Sequence, residues 1–83
     1  MATKQNPGVY DCYAHALPDE PLFVLAARDR NAPGAVRRWA NLRDLAINRG
    51  YAPVSDRAMV AEARACADAM EAWRAANDGK WRT

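Results

Sequence analysis

Between Ser55 and Asn77 the apolar residues keep a helical spacing: Met59, Ala63, Cys66, Met70 and Trp73 alternate steps of four and three. Such steps gather all five side chains on one stripe of an α-helix, whereas a half-buried strand needs steps of two. Helices pack side by side through seams of this kind, and the small residues Ala63, Cys66 and Ala67 at its middle allow a partner to approach closely. Ser55 is a good N-cap with Asp56 in the first turn, and Asp78-Gly79 marks a stop, so the pattern predicts a helix over residues 55–77. At about 1.5 Å per residue it is about 33 Å long. A second helix has to cover it.

Residues 32–49 provide that partner. Asn31 can cap it, Pro33 suits a first turn in which no amide donor is needed, and Gly50 suits the left-handed position just past the end. Arg49 in the last turn complements the helix dipole. Val36, Trp39, Ala40, Leu42, Leu45 and Ala46 form a broad apolar stripe, with Arg37, Arg38, Asn41, Asp44 and Asn48 assigned to the far side. Tyr51-Ala52-Pro53-Val54 reads as a short extended connector, since proline disfavours helix in the residue before it. The second helix is several Å shorter than the third, so an overhang near Trp73 is expected, and Met59 and Met70 are expected in the core.

Upstream, the densest apolar run, residues 22–27, follows Asp19-Glu20-Pro21. A carboxylate at the cap, acid in the first turn and an early proline predict a short helix over about 20–28. A buried strand over 22–27 is the competing reading, because periodicity cannot settle a short continuous apolar run. Asp29 can fold its carboxylate onto the amide of Asn31 or Ala32 as an Asx-turn, making a corner before the second helix. Residues 1–8 read as a mobile arm, and 79–83 as a basic tail with one aromatic, Trp81. Tyr10, Tyr13 and Leu17 could share one face of a short helix or belong to an ordered loop. The predicted fold is thus all-α: one domain over residues 9–78, a hairpin of helices 32–49 and 55–77, and a short preceding helix.

A chain of 83 residues has room for one small core. Its 51% hydrophobic content overstates that core, because alanine supplies much of it and buries little area. Few large side chains remain, so a homo-oligomer is expected. No apolar run approaches the roughly 18 residues that span a bilayer, and the N-terminus has no apolar stretch of the kind signal peptides carry, so a cytoplasmic location is expected. Cys12 and Cys66 are too few for a disulfide framework and should be thiols. Cys12 and His15 have the gap of half a zinc site, but only Cys66 and nearby carboxylates could complete four ligands, and the simpler reading is a small buried thiol and a partly exposed histidine. No nucleophile motif, phosphate loop or metal constellation occurs, so neither catalysis nor a cofactor or metal is expected. Asp19 and Glu20 are better explained by capping than by acid–base work.

The net charge of +2 is unevenly spread. Residues 28–49 hold six arginines against Asp29 and Asp44, a net +4, while residues 55–78 hold three arginines against five acids, a net −2. Three readings fit this basic block. Arg28, Arg30, Arg37, Arg38 and Arg43 could bind a phosphate-bearing ligand, with Trp39 or Tyr51 stacking a base and helix N-terminal amides near Pro33 assisting. They could instead rim an apolar patch that docks on a protein, since arginine and tryptophan are enriched among interface anchors. Or they could form a solvated face and pair internally with Asp19, Glu20, Asp68 and Glu71. Trp39, beside Val36 and Ala40, is expected in the core before it is expected to stack a ligand. A dedicated nucleic-acid module would normally be more basic than +2.

The stretch DEPLFVLAARDRNAPGAVRRWA resembles a recurring pattern, DEPxFVLxARDxxAPxxVRxWA, in small proteins of proteobacterial phages and prophages. The residues that carry it are Glu20, Pro21, Phe23, Leu25, Asp29, Ala32, Pro33, Val36, Trp39 and Ala40, with a looser likeness over EARACADAMEAWR. The resemblance implies a genomic setting and assigns no site. Phage proteins of this size often bind and block something in the host, including CRISPR effectors and the nucleotide second messengers of defence systems. The expected function is therefore a non-enzymatic inhibitor that captures a host defence factor. A nucleotide-type signal is slightly favoured over a protein surface, and a small nucleic-acid-binding module is the further alternative.

Overall fold

The computed structural model describes residues 3–8, 10 and 12–77, and its regular elements there are all helical. Helix α1 is a single turn, Cys12–His15; α2 is Ala32–Asn48; a 3-10 turn spans Val54–Asp56 and leads into α3, Arg57–Ala76. Helices α2 and α3 lie antiparallel, since Arg37 at the start of α2 meets Asp68 and Glu71 while Asn48 at its end meets Arg57. The all-α hairpin is as expected, with α2 one residue and α3 three residues shorter than the spacing suggested.

The hairpin's corners follow from local chemistry. Gly50 has φ +79, and the amides of Gly50 and Tyr51 donate to the carbonyls of Ile47 and Ala46, the paired bonds that close a helix through a left-handed residue. At the other end of α2 the Asn31 amide donates to Asp29 Oδ1 at 2.9 Å, the expected Asx-turn, and the Ala32 amide donates to the Asp29 carbonyl. Asn31 takes the N-cap position without using its side chain. The cap expected of Ser55 is also not made: Pro53 delivers the chain extended into the 3-10 turn, Ser55 falls inside it, and α3 begins one turn later. Asn77 closes α3 on the Trp73 carbonyl through both its backbone and side-chain nitrogens. Asp78-Gly79, and the basic tail with Trp81, lie outside the described residues.

The helix expected over 20–28 is not formed, and neither is the competing strand. Pro18 and Asp19 occupy the centre of a turn in which the Glu20 amide donates to the Leu17 carbonyl, while Glu20 Oε1 accepts from the Leu17 amide at 3.0 Å. The acids that looked like a helix cap serve this turn, and Pro21 then holds Glu20 away from helical backbone. Residues 21–26 run on without regular structure, with Leu25 half-buried and Phe23 87% exposed. Phe23 is not a core residue.

The buried centre is Ala40 and Ile47 on α2 against Val60 on α3, flanked by Ala52 and Ala63; Ala32 and Ala67 are buried beside it. On α3 the predicted seam is shifted by one position. Val60 and Ala67 face inward, while Met59, Cys66 and Met70 are half-buried and Trp73 is exposed. On α2 the correction is larger, since Leu42 and Leu45 point to solvent, Ile47 is buried and Trp39 stays 38% exposed. The cause is the polar row Asn41, Asp44 and Asn48. These residues border the seam because α3 carries Arg57 and Arg64 to meet them, and α2 is turned accordingly.

The radius of gyration is 14.0 Å, against about 12 Å for a compact chain of this length, so the molecule is elongated and its core is thin. No helix among the described residues is long and apolar enough to cross a membrane.

Candidate functional site

One edge of the hairpin is a ladder of paired polar groups. Arg37 Nη2 sits 2.6 Å from Asp68 and 2.5 Å from Glu71; Arg64 donates to Asn41 at 3.0 Å and lies 3.7 Å from Asp44. Arg57 donates to Asn48 at 3.1 Å and lies 3.6 Å from Asp44. On α2 the rungs are residues 37, 41, 44 and 48, spaced four, three and four, which is why they share an edge. Hydrogen bonds to Glu71 and then Asp68 hold the Arg37 guanidinium further above its already high ordinary pKa. It remains a cation, committed to two carboxylates of its own chain.

Arg43 is committed as well. Its Nη1 lies 3.3 Å from Asp56 Oδ2, and its guanidinium carbon stands 5.4 Å from the centroid of the Trp39 ring. That geometry covers one face of the indole with a cation and orders both side chains on the flank of α2.

The seven residues singled out in the sequence therefore separate. Arg28 and Arg30 sit at the corner before α2, Arg37 in the ladder, and Trp39 with Arg43 on the flank. Arg38 is exposed on the outer face, and Tyr51 lies exposed beyond the far end of α2. That helix is about 26 Å long, so Tyr51 cannot share a small ligand with Arg28 or Arg30. Among the described residues, Arg28, Arg30 and Arg38 make no side-chain ion pair. An anion at the start of α2 would meet the Asp29 carboxylate, which already occupies the Asn31 amide.

What the structure does bring together is a row on the outer face of α2. Arg38, Leu42, Leu45 and Arg49 fall four, three and four apart and are all exposed. Trp39 borders them, and the two leucines stand 51% and 44% exposed. The signal was present in the sequence, but Leu42 and Leu45 were counted as core because the apolar residues of α2 occupy more than half of its circumference.

Among the described residues no three His, Cys, Asp or Glu side chains gather as a metal site. Comparison with protein families, curated proteins and solved structures finds no match to this chain. The functional reading therefore rests on the residues themselves.

Proposed function

We propose that this chain is a non-enzymatic binding protein, of phage origin, that blocks a protein surface in the host cytoplasm through the outer face of α2. The observation that carries the reading is the exposed row Arg38, Leu42, Leu45 and Arg49 with Trp39 beside it. An amphipathic helix laid into a groove presents anchors at this spacing, and arginine and tryptophan are the residue types that most often dominate such contacts. The partner it fits has an apolar groove for the two leucines and carboxylates at either end for Arg38 and Arg49.

Two other expectations fit less well. A nucleotide-type signal would draw on Arg37 and Arg43, and removing either from its carboxylates costs the binding what the ion pair supplied. Self-association through this face would bring Arg38 and Arg49 of one copy against the same basic ends of another, a like-charge contact.

Site-specific cross-linking tests the reading. A photo-reactive benzoylphenylalanine replacing Leu42 should cross-link in host cells to one protein with an acidic surface, and the same group replacing Tyr51 should not. The purified partner should then bind the unmodified chain and lose at least about a hundredfold in affinity for Leu42→Asp, the scale of losing a central anchor. Cross-linking only between copies of the chain would overturn the proposal. So would a large thermal stabilisation by a nucleotide that is abolished by Arg28→Ala or Arg38→Ala.

A further inference from the structure

On the face of α3 turned away from the ladder, the segment over residues 24–28 does not lie flush against the helix. It leaves an open groove of about 890 Å³, with Cys66, Met70 and Trp73 on its α3 side and Tyr13 at its edge. This is large enough for a small molecule. Its surface is mostly apolar, yet among the described residues lining it two, Lys4 and Arg28, are cations and none is an acid. Neither cation has an ion-pair partner among the described residues. The segment is tethered at its end, where Arg74 donates to the carbonyls of Ala27 and Arg28. One wall is thereby fixed at the position where the second cation stands.

We infer that this groove binds a small amphipathic monoanion, a carboxylate on an apolar body, with the head between Lys4 and Arg28 and the body against Met70 and Trp73. The apolar lining excludes water from a hydrocarbon or ring, and methionine and tryptophan adapt to either shape. A carboxylate is the head group that a lysine and an arginine with no ion-pair partner among the described residues would attract. A nucleotide fits poorly, because its base edges and sugar hydroxyls would face carbon. The α2 outer face contributes no residue to this groove, so the inference stands apart from the protein-binding reading.

The experiment uses decanoate, 1-decanol and decyltrimethylammonium as probes on the full chain, with the methionine methyl resonances as reporters. Met70 lines the groove and Met59 does not. Decanoate should move the Met70 signal and leave Met59 in place, and it should bind at least about tenfold more tightly than decanol, the factor expected from one charge-assisted contact. The cationic probe should bind more weakly than the alcohol. In the double variant Lys4→Gln, Arg28→Gln, both exposed positions, acid and alcohol should bind alike. Equal binding of acid and alcohol by the unmodified chain overturns the inference, as does a Met59 shift equal to that of Met70, or no Met70 shift at millimolar decanoate.

Discussion

Arg74 Nη1, in the last turn of α3, lies 2.5 Å from the Arg28 carbonyl oxygen and 3.4 Å from that of Ala27. This contact joins the long apolar segment before α2 to the far end of the hairpin. It also bears on the mismatch in helix length, because the end of α3 that α2 cannot reach is met by Ala27 and Arg28 instead.

Replacing Arg74 with alanine should therefore release that segment without melting the hairpin. We expect a loss of about 1 kcal/mol in global stability, the scale of a partly exposed charge-assisted hydrogen bond, and clearly faster amide exchange over residues 24–28. Unchanged exchange there would show that the tether does not hold the wall.

Core substitutions should divide sharply. Ile47→Ala or Val60→Ala should cost about 2 to 4 kcal/mol, because each empties the buried centre of a thin core. Phe23→Ala should stay within about 0.5 kcal/mol, since its ring is 87% exposed. Urea midpoints of the three variants check this directly.

Two glycines should respond in opposite directions. An added Cβ meets nothing within 4 Å at either Gly34 or Gly50, so only backbone conformation distinguishes them. Gly50→Ala forces a side chain into φ +79 and should cost about 1 kcal/mol or more. Gly34→Ala lies in the first turn of α2 and should stabilise by about 0.5 to 1 kcal/mol. Thermal melting of the pair reads both signs.

The ladder should contribute modestly and with a salt dependence. Asp44→Ala removes the carboxylate shared by Arg57 and Arg64, and we expect a cost below about 1 kcal/mol at low salt that shrinks further in 1 M salt. A salt-independent loss would place Asp44 in packing instead of charge pairing.

The legible parts of this fold were those set by neighbours in sequence. Helix spacing located α2 and α3, glycine chemistry located the Gly50 corner, and the short side chain of Asp29 announced its turn. What could not be read was rotation about the α2 axis, because Leu42, Leu45 and Ile47 are all good core residues and the choice was made by Arg57 and Arg64 on another helix. The same long-range pairing took Arg37 and Arg43 out of the proposed ligand set. Residues 20–28 failed for a local reason: Pro18 and Pro21 bracket the acids, and a turn uses those acids before a helix can.

The outer face of α2 is proposed as a protein-binding surface. Its most direct test is the affinity of the cross-linked partner, once purified, for the double variant Leu42→Asp, Leu45→Asp, with folding verified by circular dichroism. The account predicts a folded hairpin, because both leucines are already exposed, and loss of measurable binding. A folded double variant that binds the partner as tightly as the unmodified chain would contradict it.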